Sequence, residues 1–144
     1  MADWKSYAPL PLRAAIGIGL IQHGGIKLFA AGGHENIVHL ISELGVPFAN
    51  LMGWVVGVVE LGGGLGLLFG IWFKPAAVAN VLNLGGLLVL GFVAGGIPTP
   101  LPGGDPLPGF REAFLILAGI VSLLLSGPGR FALRDLVQKT ETAG

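Results

Sequence analysis

Apolar residues run along this chain in four long blocks, at about 12–31, 51–73, 76–97 and 110–125, separated by short polar or Gly/Pro-rich stretches. The first three are close to the roughly 20 residues a helix needs to cross a bilayer, and the fourth is shorter. They predict an all-α integral membrane fold, a bundle of four transmembrane helices in a single domain covering 1–144. Between the first two blocks, Ile37, Leu40, Ile41 and Leu44 recur at i, i+3, i+4 and i+7. That spacing predicts a short amphipathic helix over about 35–44, lying on the membrane surface or over the bundle mouth, and too short and polar to span. Pro9 and Pro11 are expected to block an earlier start of the first helix, and Gly32 and Gly33 to end it. Lys74 and Pro75 make a tight turn before the third span. The segment 98–109 carries five prolines and predicts a stiff, extended outer loop, and 127–144 a polar tail.

Composition supports the membrane class. Only 11% of the residues are charged and the mean hydropathy is +0.80, against roughly 25% charged in soluble domains. The formal net charge is zero, so no global field favours nucleic acid, and none is expected as a partner. There are no cysteines, which removes disulfides, thiolate metal sites and thiol redox chemistry from the expectation. The N-terminal apolar run is interrupted by Gln22, His23 and Lys27 and reads as a span rather than a signal peptide. Trp4, Tyr7, Trp54 and Trp72 fall where aromatic side chains settle at an interface. Gly53 and Gly57, then Gly62, Gly66 and Gly70, form two small-xxx-small series expected to pack the second helix on two sides.

The polar residues inside these spans carry the candidate chemistry, because ionisable groups at membrane depth are costly and default to pairing within the bundle. At 100° per residue Arg13, His23 and Lys27 fall within about an 80° arc of the first helix, with Gly17 and Gly24 nearby and Gln22 nearly opposite. Depth matching at 1.5 Å per residue sets His23 about 12 Å and Glu60 about 13 Å from the outer loop. Lys27 lies roughly one turn further out, and Arg111 and Glu112 enter only slightly above. His23, Lys27, Glu60, Glu112 and Arg111 therefore form the candidate polar cluster. Arg13, about 15 Å from His23, forms with Asn80 and Asn83 an inner polar layer. Two readings of the cluster stay open. One is a structural ion-pair network, Lys27 or His23 with Glu60 and Lys27 with Glu112. The other is an outward-opening pocket where His23 and Glu60 bind or exchange protons with a small ligand such as a quinone head group. His34 and His39, at i, i+5, do not share a face and read as interfacial; no metal site is expected.

The pattern Arg13, then His23-Gly24-x-x-Lys27-Leu28-Phe29, with Val59-Glu60-Leu61-Gly62-Gly63-Gly64, Glu112, and Gly127-Pro128-Gly129-Arg130, resembles the DoxX family over about residues 12–133. The resemblance implies a small four-helix bacterial membrane protein, an accessory subunit of a redox or quinone-linked complex rather than an enzyme on its own. It also implies that Arg13, His23, Lys27, Glu60 and Glu112 are the family's polar core, with no intrinsic cofactor and quinone as the candidate ligand. The alternative is a purely structural or assembly subunit. A transporter has too few helices in one chain for an alternating-access repeat unless an oligomer supplies more. Expected partners are membrane lipid and other membrane subunits or further copies of the chain. Lys5, Arg13, Lys74, Arg130, Arg134 and Lys139 fall on the side of the termini, against Lys27 and Arg111 opposite. The positive-inside rule thus predicts that both termini are cytoplasmic, and the resemblance implies the bacterial inner membrane.

Overall fold

The computed structural model describes residues 7–95 and 108–129. Among these the chain is all-helical, with α1 (Pro9–Phe29), α2 (Gly33–Glu43), α3 (Ala49–Phe69), α4 (Phe73–Gly95) and α5 (Pro108–Ser126). Of the anticipated loop at 98–109, residues 98–107 lie outside the described residues and 108 and 109 already belong to α5; of the tail at 127–144, the residues from 130 on lie outside them. By length and composition α3 and α4 each suffice to cross a membrane. α1 and α2 do so only as a pair bent by 95°, and α5 contributes the shorter apolar stretch Glu112–Ser126. α1 has the length, 21 residues, but Arg13, Gln22, His23 and Lys27 dilute its hydropathy.

Helix ends shift from the sequence expectation for local reasons. Pro9 and Pro11 do not delay α1; they occupy its first turn, where the missing N–H has no intrahelical acceptor to lose. Gly33 is the first residue of α2, and Gly32 adopts the left-handed conformation that turns the chain. α3 stops at Phe69 rather than 73 because Gly70, at φ 70°, takes the left-handed C-cap conformation. α4 already begins at Phe73, with Lys74 and Pro75 in its first turn.

α1 and α3 make the most extensive helix contact, and their glycines make it possible. A Cβ on Gly24 would stand 2.7 Å from the Gly57 carbonyl oxygen, and one on Gly64 would stand 2.8 Å from that of Gly17. Gly17 thus faces Gly64 and Gly24 faces Gly57, each helix repeating glycine after one heptad. The glycines of α3 divide differently from the expected two series. Gly57 and Gly64 meet α1, Gly53 meets α2, and Gly66 meets Ala76 of α4, while Gly62 is exposed with open space around it.

Two apolar clusters complete the packing. Leu20, Leu67, Phe73, Ala77, Leu84, Ile120 and Leu123 join α1, α3, α4 and α5. Ile37 and Ile41 seat α2 on Val56 of α3. The residues predicted from the i, i+3, i+4, i+7 repeat are those that α2 turns inward.

Because Gly24 has backbone for a neighbour, Gly24→Ala should destabilise the protein in detergent by about 1–3 kcal/mol through overpacking. Gly25→Ala, where a Cβ meets no described atom within 4 Å, should be neutral or stabilising by up to about 1 kcal/mol. Thermal unfolding of the two variants in the same detergent checks the contrast, and equal melting temperatures would contradict the packing.

Candidate functional site

Lys27 lies in the last turn of α1 and Glu60 in the middle of α3, on the faces that the glycine contact holds together. Lys27 Nζ donates to Glu60 Oε2. Glu60 is 1% exposed and the Lys27 side chain 18%. A carboxylate that deep is costly to keep charged unless a cation pairs with it, because the low-dielectric surroundings supply no water to solvate it.

His23, one turn before Lys27, points to a different neighbour. Its Nε2 lies 3.3 Å from Glu112 Oε2 at the start of α5, an ion pair whenever the imidazole carries its second proton. Both groups are considerably more exposed than the Lys27–Glu60 pair. The pairings are therefore Lys27 with Glu60 and His23 with Glu112; of the options read from the sequence, Lys27 with Glu112 and His23 with Glu60 do not form. The Arg111 side chain lies outside the described residues.

The inner residues separate. Arg13 is buried and donates from Nη1 to the Pro128 carbonyl, 2.6 Å away, just beyond the end of α5. A guanidinium there also complements the negative end of the helix dipole. Asn80 is fully buried and donates from Nδ2 to the Val59 carbonyl at 3.2 Å and to that of Ala76 at 3.0 Å. It fits against Gly63, where any side chain would collide with its amide. Since Val59 immediately precedes Glu60, Asn80 sits at the level of the Lys27–Glu60 pair and has partners other than those of Arg13. Asn80 Oδ1 and Asn83 Nδ2 are buried without a hydrogen-bond partner among the described residues.

His34 stacks on Trp54, ring centroids 4.4 Å apart, and its Nε2 lies 3.3 Å from Asn50 Oδ1, which ties the start of α2 to the start of α3. His39 stays exposed beside Glu43. No group of three or more His, Asp or Glu among the described residues is placed to hold a metal.

Beside the polar pair is a cavity of about 260 Å³, lined by Ile37 and Leu40 of α2 and by Leu44 just after its end. His23, Lys27 and Glu60 form its polar end. Leu84, Leu87, Leu88 and Gly91 of α4, with Ala113 and Ile116 of α5, form an apolar wall. This matches the general design of small-molecule sites, mostly apolar with a few convergent polar groups. The sequence located the polar end by helical angle and depth. For the wall its signal was weak, because α4 is apolar on most faces and only the line of Asn80 with Leu84, Leu87 and Gly91 marks the inward one.

Comparison with known proteins gives two matches. A family model described as DoxX matches residues 8–94, which include Arg13, His23, Lys27, Glu60, Asn80 and Asn83 and stop short of Glu112. The chain is also 32% identical over 105 residues to an uncharacterized membrane protein of Mycobacterium tuberculosis, an alignment covering 70% of this chain and 64% of that protein. The chain thus spans less than two thirds of the length of that relative. No solved structure matches.

If Glu60 neutralises Lys27, Glu60→Leu leaves a half-buried cation facing apolar surroundings and should cost about 2–4 kcal/mol. The double variant Lys27→Met/Glu60→Leu, which removes both charges, should regain most of that loss. Detergent-resistant melting of the three proteins measures it; a double variant no more stable than Glu60→Leu would contradict the pairing.

Proposed function

The chain belongs to the DoxX family of membrane proteins, and on that premise we propose that it is a four-span inner-membrane subunit whose cavity holds the head of a quinone for a partner oxidoreductase. The observation that carries this reading is the cavity itself, in which a half-buried cation, a buried carboxylate and an imidazole line an otherwise apolar chamber. A quinone carbonyl accepts hydrogen bonds, for which Lys27 Nζ and a protonated His23 nitrogen are donors. A quinol hydroxyl donates, for which the Glu60 and Glu112 carboxylates are acceptors. His23 with Glu112, the more exposed pair, is placed to pass protons between the cavity and the outer side. Electrons come from the partner, so this chain binds and positions the ring rather than acting as an enzyme alone.

In this arrangement α1, α3, α4 and α5 span and α2 lies over the outer mouth, with the polar tail and both termini in the cytoplasm. The distribution of lysine and arginine supports that orientation. An alkaline phosphatase reporter inserted near residue 104 should be active and one fused after Gly144 inactive; the reverse pattern would invert the topology.

A structural or assembly subunit is the second reading, and the position of the Lys27–Glu60 pair at the closest helix contact favours it. Native-host purification in mild detergent separates the two. The quinone reading expects a larger oxidoreductase and a stoichiometric quinone to accompany the wild-type protein. It expects Glu60→Gln to keep the complex assembled while losing the quinone and most turnover. An assembled Glu60→Gln complex with full turnover would leave the polar core a structural role only.

A further inference from the structure

We infer that the cavity is entered sideways from the lipid, through a portal between the outer halves of α4 and α5 with Gly91 on its threshold, so that its ligand carries a long apolar tail. This rests on reading the cavity as a ligand site. The bundle is closed unevenly. On the side of α1, α2 and α3 the outer half is sealed by Gly24, Ile37, Ile41, Gly53 and Val56, all buried. Between α4 and α5 the inner half is sealed as well, by Phe73, Ala77, Leu84, Ile120 and Leu123. Toward the outer side the seam loosens. Of the residues with described exposure, none from 85 to 93 on α4 and none from 112 to 119 on α5 is buried. The cavity reaches this seam, for Leu87, Leu88 and Gly91 border it on one helix and Ala113 and Ile116 on the other.

Gly91 differs from the glycines of α1 and α3. A glycine inside a helix costs about 0.5–1 kcal/mol relative to alanine, and at Gly24 or Gly64 close backbone approach offsets that cost. A Cβ on Gly91 would meet no described atom within 4 Å. What Gly91 contributes is empty space at the cavity's edge. Gly85 and Gly86 also have open space, but neither borders the cavity. A lip made of leucine, isoleucine, alanine and glycine admits hydrocarbon, and the carboxylate beside it, Glu112, is engaged by His23. The Lys27–Glu60 pair at the far end sums to no net charge, which suits an uncharged head group.

The test uses full-length protein in lipid nanodiscs and two probes, a quinone with a long isoprenoid tail and the same ring without a tail. Gly91→Phe should weaken binding of the long-tailed probe by about tenfold while leaving the tail-less ring nearly unchanged. Ala113→Phe, on the opposite lip, should act in the same direction and serves if Gly91→Phe does not fold. Gly86→Phe, exposed and away from the cavity, should change neither. Long-tailed binding unaffected by both lip variants, or equal weakening of both probes, would overturn the portal while leaving the site reading intact. Wild-type protein that binds neither probe would overturn the site reading and the portal with it.

Discussion

The fold depends on one contact, the seam between α1 and α3, where glycines bring two backbones together and Lys27 meets Glu60. In lipid the hydrophobic effect does not sort helix faces, because the tails are as apolar as leucine. Packing and polar pairing must do it. Gly17 against Gly64 and Gly24 against Gly57 allow the approach. Glycine alone specifies register poorly, since sliding one helix along the other leaves small residues in contact. The ion pair removes that freedom, because any slide that parts Lys27 from Glu60 leaves a buried charge unpaired.

The same seam sets the floor of the cavity. With α1 and α3 locked, α2 folds back at 95° and rests Ile37 and Ile41 on α3. The inner cluster around Leu67, Ile120 and Leu123 closes the opposite end. What is left is a chamber with an ion pair beside a glycine-packed seam on one side and, on the other, helix halves with no buried residue from 85 to 93 or from 112 to 119. Polar groups held by such packing suit recognition, since donors and acceptors already in place need little reordering when a partner arrives. Stability and candidate function thus use the same two residues, Lys27 and Glu60, while His23 and Glu112 form a second, more exposed pair.

Much of this was legible in the chain. The 100° periodicity put Arg13, His23 and Lys27 on one face of α1, counting along two antiparallel helices set Glu60 at the depth of His23, and the spacing of Ile37, Leu40, Ile41 and Leu44 defined α2. Helix ends were less legible. Whether a proline blocks a helix or begins one, as Pro9 does, turns on where the first turn falls, and Gly70 ends α3 four residues early by taking a left-handed conformation. The pairing of charges needed to know which helices adjoin. α1 touches both α3 and α5, and the roughly 40° between His23 and Lys27 on its surface is enough to send each to a different carboxylate. Depth alone could not separate them, nor could it lift Asn80 out of the layer of Arg13 to the level of Glu60. The cavity wall was harder to read: α4 is mostly leucine, valine, alanine and glycine, and Asn80, in line with Leu84, Leu87 and Gly91 at i+4, i+7 and i+11, is the main mark of the face that turns inward.

In the function proposed for this chain, the head of a neutral lipid-soluble ligand sits against Lys27 and Glu60. Solid-state NMR tests it most directly, with ¹⁵N-lysine-labelled protein reconstituted in bilayers with a quinone ¹³C-labelled at its carbonyls. Dipolar transfer between the Lys27 Nζ resonance and a quinone carbonyl is the predicted result. Quinone carbonyls that show no coupling to Lys27 in bilayers saturated with the ligand would contradict it.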